Sequence, residues 1–324
     1  SPHKAKGGWM DAQVLLTVDT ELTWGRYARG CSWQENFARS YEAAGVGVPW
    51  QLRTLAEHGL KACFFVDPMP ALVYGIEPIR RMIRPILDAG QEVQLHVHSF
   101  WHDLAEGREK PRFELTDFDA KGQCGLIRTA RDLLTKAGAP DPIAFRSGSY
   151  AADEATLDAL AELGIRYDSS HNGSHHPWPS ALPLDPVQIA PLRQGGVIEI
   201  PVAQMEDKAG KLRHLQLCAV SAEELRQALL HAARQGHPLT TIVSHSFELA
   251  TRDGLRPNRT LRRRFERLCA FLAEERDRLP TVHFADLDDL PLGASAVPLP
   301  ARRLRRARRM AQQIWSNAVY ERAL

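Results

Sequence analysis

No stretch of this 324-residue chain stays apolar for the roughly 18–20 residues that a bilayer-crossing helix requires. The richest runs, residues 14–18 and 62–66, are strand-sized, which excludes a bundle of spanning helices. Cysteine is scarce. Cys31, Cys63, Cys124, Cys218 and Cys269 are odd in number and widely spread, with no CxxC pair. That usage excludes a disulfide scaffold and suits a reducing compartment. Nucleotide fingerprints are missing as well: no GxGxxG follows the first strand-like run, and GxxxxGK[ST] occurs nowhere. Net charge is small too, with 41 Lys and Arg against 39 Asp and Glu.

What remains is a chain able to build a sizeable core, 44% hydrophobic and 25% charged. Its length suits one α/β barrel of about 250 residues plus an appendage. The charge is unevenly spread. Residues 301–324 hold seven Arg and one Glu, a net +6, so the preceding 300 residues are net −4. A mildly acidic body argues against a nucleic-acid partner, and the basic tail reads as an interaction segment. The opening SPHKAKGGWM has no apolar signal-peptide core, and residues 1–10 read as an appended, non-native leader.

From residue 13 onward, short β-rich runs alternate with amphipathic stretches. Strands are expected at 14–19, 61–66, 92–96, 143–146, 165–167, 197–200 and 240–244, with a last one near 281–284. Helices are expected at 49–58, 77–89, 122–137, 153–163, 222–235 and 259–275, with an irregular Trp- and Gly-rich loop after the first strand. This alternation points to an α/β fold, a distorted parallel (β/α) barrel of seven or eight strands over residues 11–290. Residues 291–300, PLGASAVPLP, read as a Pro-rich linker. Beyond it Leu304, Ala307, Ala311, Ile314 and Ala318 recur at helical spacing among the arginines. Residues 291–324 are therefore a linker and a basic amphipathic helix, a form that lies on an anionic membrane surface or docks on a partner. The plainer alternative is a helix packed on its own barrel with its Arg face in water.

In a parallel barrel the functional groups sit where strands end. The strand ends here are polar: Asp19-Thr20-Glu21, His96-Val97-His98 with His102 beyond, Phe145-Arg146, Tyr167-Asp168 and Ser244-His245. Each alone is more often a cap than a catalyst; their convergence is the signal. His98-Ser-Phe-Trp-His102 is HxxxH, which on a helical turn brings two imidazoles to one metal. A second HxxxH, at 171–175, contains Asn-Gly and reads as a turn. With a carboxylate from the end of the first strand, the His98/His102 pair would make an open, hydrolytic site.

Five segments in order resemble the polysaccharide deacetylase family, the NodB-homology fold related to carbohydrate esterase family 4, over residues 14–290. They are LTVDTE (16–21), HSFWH (98–102), FRSGSY (145–150), GIRYDSS (164–170) and VSHSFE (243–248). The resemblance implies Glu21, His98 and His102 as metal ligands and Asp19 as general base, the alternative being that Asp19 itself binds the metal. It implies that Arg146 holds Asp19 ionised, that His245 is the general acid, and that Asp168 orients His245. The backbone N–H near Ser149 would serve an oxyanion, and Tyr150 would line the substrate. Trp101 and Phe247, with Trp24 and Trp178, would form a sugar-stacking wall or else barrel packing. Glu248 is a supporting residue or a cap. The Arg motif departs from the family at Gly148, where Pro is usual, and glycine there is expected to loosen the loop.

The implied cofactor is one divalent ion, Zn2+ foremost, with Co2+, Ni2+ and Mn2+ as alternatives. The implied function is an N-deacetylase or deformylase of an amino sugar in bacterial surface polysaccharide or lipopolysaccharide biosynthesis. Alternatives are an amidohydrolase of a small cyclic amide or ureide, and a catalytically weak homologue serving as a binding component of a glycan machine. The expected substrate is an N-acylated, carrier-linked sugar. The expected setting is the cytoplasm, peripherally on the inner membrane, with residues 301–324 on its anionic surface.

Overall fold

The computed structural model describes residues 12–321; residues 1–10, read above as a leader, lie outside them. β1 (Gln13–Thr20), β2 (Cys63–Val66), β3 (Glu92–Val97), β4 (Ala144–Ser147) and β5 (Tyr167–Asp168) are buried almost throughout. Such continuous burial belongs to parallel strands covered on both faces. They are followed by β6 (Leu192–Gln194), β7 (Val197–Glu199), β8 (Gln204–Lys208), β9 (Lys211–His214) and β10 (Leu239–His245). Eight of these strands form one sheet in the order β10-β1-β2-β3-β4-β5-β7-β6, parallel except for the β6–β7 pair. The sheet curls. Residues 200–203 cross between its β5 side and β10, where Ile200 N donates to Asp168 O, Val202 N to His171 O and Ala203 N to Thr241 O. The result is the expected distorted α/β barrel.

Helices surround the sheet: α1 (Trp24–Ala28), α2 (Trp33–Ser40), α3 (Val48–His58), α4 (Ala71–Tyr74), α5 (Glu77–Asp88), α6 (Phe100–Ala105), α7 (Ala120–Lys136), α8 (Glu154–Glu162), α9 (Ala222–Gln235) and α10 (Arg259–Glu274). Their ends are written locally. Asp119, Asp153, Ser221 and Asn258 each accept a hydrogen bond from a backbone N–H of the first turn, and α9 closes on Gly236 in the left-handed region. The stretch expected to be an irregular loop contains α1 and α2. The strand expected near 281–284 does not form; Thr281 makes an isolated bridge to Val14, and a 3-10 turn, Phe284–Asp286, follows.

Alternation along the strands sorts side chains into two layers. Val14, Leu16 and Val18 join the core beneath the helices, whereas Leu15, Cys63, Phe65, Ala144 and Tyr167 fill the barrel interior. Beyond Leu15 the interior positions of the first strand are Thr17 and Asp19, so the line running from barrel floor to rim turns polar at its C-terminal end.

The C-terminal segment is fastened along the barrel. Glu206 N donates to Leu299 O, and α11 (Arg303–Ser316) follows, running into a π-turn, Asn317–Glu321. Arg305 and Arg309 are buried beneath α11. Arg309 pairs with Asp207 and donates from Nε to Glu224 at 3.2 Å, and Arg305 donates to Gln227 at 2.7 Å. Ser316, on the same face, accepts from Asn258. Leu304, Met310, Ile314 and Trp315 are exposed on the other side. The expectation of a helix packed with its Arg face in water is thus inverted in part: two arginines point inward and the apolar stripe points out. The physical reason is pairing. Asp207 and Glu224 are buried acids, and such groups need cations close by.

Candidate active site

Parallel register builds the centre. Asp19 is paired with His245 across β1 and β10, and His96 with Arg146 across β3 and β4, all near the C-terminal rim. Arg146 is completely buried. Its Nη1 donates to Asp19 Oδ1 and to Thr17 Oγ1, both at 2.8 Å, while Nε and Nη2 are held by Ser169. Burial would raise the Asp19 carboxyl, but Arg146, His96 and His245 together hold it below its ordinary value. Asp19 is therefore an oriented carboxylate with one oxygen tied and the other 3.8 Å from His245 Nε2.

His245 leans on Glu248, whose Oε1 is 3.6 Å from Nδ1; Gln216 Nε2 donates to that same oxygen at 2.6 Å. Burial works against the charged ring, but Glu248 and Asp19 carry its pKa up to about 9. Asp168, expected to orient His245, lies elsewhere. It accepts from Ser170 Oγ at 2.7 Å and is paired in register with Glu199, whose carboxylate accepts from His171 N. Burial and the adjacent Asp168 raise Glu199 well above the carboxylate range, the behaviour of two buried acids sharing a proton. The carboxylate beside His245 comes from the turn after β10, three residues on in sequence.

A second cluster stands next to Asp19. Oε2 of Glu21 contacts His98 Nε2 and lies 3.3 Å from His96 Nε2. One donor atom from each of Glu21, His96 and His98 falls within 4.8 Å of the others, and among the described residues no other such group of three occurs. His102 is not in this group; its ring lies against Phe118, centroids 6.3 Å apart. The reason is where α6 begins. His98 precedes the helix that carries His102, so the four-residue spacing does not put the two rings on one helical face. His96 and His98 instead sit two apart at the end of a strand, where alternation turns both into the barrel mouth. H-x-H at a strand end was the signal available in the sequence.

The residues suit a cation. Glu21 Oε2 is buried with only the two imidazole Nε2 atoms facing it, and Oδ2 of the neighbouring Asp67 is buried without a partner. Burial pushes Asp67 up to about 6 although His98 and His96 are close. His96 Nδ1 is 2.7 Å from Arg146 O, which fixes that nitrogen as a donor and orients Nε2 toward Glu21. Two imidazoles and a carboxylate with unsatisfied lone pairs are the donor set of a catalytic zinc-type site.

Two cavities open over this centre. One, of about 440 Å³, is lined by Glu21, His98, Trp24, Phe113, Glu114 and Ser149; the other, of about 460 Å³, by His245, Phe247, Glu248 and Gln216. Ser149 and Tyr150 both occupy the left-handed region, with φ of 56° and 59°. Such backbone strain gathers at functional loops. Ser149 and Phe247 thus reach the cavities, whereas Tyr150 is buried with its phenol oxygen unpartnered. Trp101 is fully buried and packs on Tyr27 and Phe100, so it is barrel packing and cannot stack on a sugar. Trp24 instead stands at the cavity wall, beside Phe100 and Phe113.

No model of a known protein family matches this sequence, and no curated protein does either. Solved structures match clearly. A protein proposed to be a polysaccharide deacetylase, from Mycobacterium smegmatis, superposes over 91% of this chain and 98% of its own, with a TM-score of 0.52 at 19% identity. The fold is shared with the polysaccharide deacetylases. A 4-alpha-glucanotransferase from Thermococcus litoralis matches 88% of this chain through 42% of its own, with a TM-score of 0.51 at 12% identity. A family 4 carbohydrate esterase from Streptomyces lividans covers 89% of this chain and 99% of its own, with a TM-score of 0.42 at 14% identity. These likenesses concern the fold, and function has to be argued from the site.

Proposed function

We propose that this protein is a metal-dependent hydrolase that removes an N-acyl group, acetyl or formyl, from an amino sugar. The carrying observation is that an oriented carboxylate, Asp19, and a cationic imidazole, His245, stand 3.8 Å apart beside a Glu/His/His donor set. Amide hydrolysis needs both groups: a base for the attacking water and an acid for the departing nitrogen. Asp19, kept ionised by Arg146, takes the proton from water. His245, with its pKa near 9, is protonated at neutral pH and gives its proton to the nitrogen, releasing a carboxylate and a free amine. Glu21, His96 and His98 would hold one divalent ion, Zn2+ foremost by its donor set, which supplies Lewis-acid polarisation of the acyl group. The strained loop at Ser149 offers its backbone N–H to the oxyanion.

The test is release of free amine from a panel of N-acetylated and N-formylated nucleotide- and lipid-linked sugars, with and without chelator. Chelated protein, His245→Ala and Asp19→Asn should lose turnover while keeping the far-ultraviolet circular dichroism of the wild type. Turnover that ignores chelator would count against the metal.

The sugar is proposed to belong to bacterial surface polysaccharide biosynthesis and to be carrier-linked, met at the cytoplasmic face of the inner membrane. No helix among the described residues is long and apolar enough to cross a membrane. The outward Leu304, Ile314 and Trp315, with Arg302, Arg303 and Arg308 beside them, have the chemistry of an interfacial helix. Each Arg near an anionic surface contributes about 1 kcal/mol. Cosedimentation with phosphatidylglycerol vesicles should fall sharply in Ile314→Asp; unchanged binding would remove α11 from the membrane.

A further inference from the structure

Arg26, on α1, is a buried cation with no carboxylate partner among the described residues. It is 6% exposed, and its Nε is buried without any partner. Nη2 donates to the carbonyl of Arg252 at 3.1 Å, and among the described residues no carboxylate comes within 4.0 Å of the guanidinium. Asp253, the acid that acts on it from a distance, accepts from Thr251 Oγ1 and Leu255 N. Of the other buried arginines, Arg309 pairs with Asp207 and Glu224 and Arg146 with Asp19, whereas Arg264 and Arg305 bond to neutral oxygens, Leu217 O for the first and Gln227 and Pro300 for the second. A buried cation without a counter-charge is costly, and an anionic ligand would supply the missing charge.

Its position indicates which ligand. Arg26, Thr23 and Arg252 line both cavities over the catalytic centre, the one with Glu21 and His98 and the one with His245. Arg29 lines the first, and neither Arg29 nor Arg252 forms an ion pair among the described residues. Burial, with Arg39 and Arg29 close by, also lowers the Arg26 pKa, the direction an incoming anion would reverse. We infer that Arg26, flanked by Arg29 and Arg252, forms an oxyanion subsite that receives the phosphate of a phosphorylated N-acyl amino sugar. Phosphate fits better than carboxylate because three guanidinium groups line one cavity and phosphate offers acceptor oxygens to all three, whereas one bidentate Arg satisfies a carboxylate. The sugar part of this inference rests on the proposed hydrolase reading; the phosphate part does not.

Calorimetric titration of the full chain in chelator, where no turnover contributes, separates the two. N-acetylglucosamine 1-phosphate should bind at least about tenfold tighter than N-acetylglucosamine, and inorganic phosphate should compete with it. Arg26→Gln, which keeps shape and removes charge, should abolish that difference. Should Arg26→Gln fail to fold, the exposed pair Arg29→Gln/Arg252→Gln should weaken it in the same sense. Equal affinity for the two sugars, or a preference that survives both variants, would overturn the subsite. So would Arg26-dependence seen only with phosphatidylglycerol vesicles, which would assign the cluster to lipid headgroups. Phosphate preference in a protein that hydrolyses none of the sugar panel would uphold the subsite and sink the hydrolase reading.

Discussion

A Cβ placed on Gly148 would stand 2.6 Å from Cε1 and 2.8 Å from Cγ of His98. Glycine at this position makes room for the imidazole; the left-handed backbone belongs to Ser149 and Tyr150, the two residues that follow. The expectation that Gly148 loosens the loop thus gives way to a steric reason. Any side chain at 148 must push the ring of His98 away from Glu21. Gly148→Ala should weaken zinc binding by about tenfold or more, read by competition against a chromogenic chelator, with little change in melting temperature of the metal-free protein. Wild-type affinity would show that the ring can give way.

His96 and His102 offer opposing metal sets. His96→Gln should lower bound zinc well below one equivalent after gel filtration, because it removes a nitrogen that faces Glu21 at 3.3 Å. His102→Gln, whose ring packs on Phe118, should retain it. Metal analysis of the two purified variants gives the answer directly, and the reverse pattern would restore the HxxxH pair.

On the proposed mechanism, Glu248 should govern the alkaline limb of activity. His245 is raised to about 9, so the protonated acid persists below that pH and is lost as pH rises through it. In Glu248→Gln the strongest support for the charged ring is gone, and its pKa should fall toward the ordinary imidazole value of about 6.5. Turnover at pH 8.5 should then drop roughly tenfold or more while the rate at pH 6 changes little. A pH–rate profile that keeps its upper limb would show that another group is the acid.

Much of the fold was legible because its causes are local. Buried parallel strands need continuous apolar runs, and residues 14–19, 61–66 and 240–244 supply them within one or two positions of the observed strands. Helix 222–235 starts on a Ser221/Glu224 capping box and stops on Gly236, so its limits match the expected ones at both ends. The β8–β9 hairpin was not legible, since QMEDK and KLRH carry no alternating apolar pattern. The short helices α1 and α2 sit in a Trp- and Gly-rich stretch whose composition argues against helix, and packing overrode it.

The succession of strands and their polar C-terminal ends were determined by residues visible along the chain, and the pairing of Asp19 with Arg146 was implied by the family resemblance. Which polar groups meet was decided only by tertiary structure. Strand register set Asp168 beside Glu199 rather than His245, and strand alternation chose His96 over a helical partner. Buried acids on β8 and α9 turned two arginines of α11 inward. Propensity and capping act over a few residues, so a sequence displays them. A meeting of charges depends on register between segments far apart in the chain, and that is set by the free energy of the whole packed barrel.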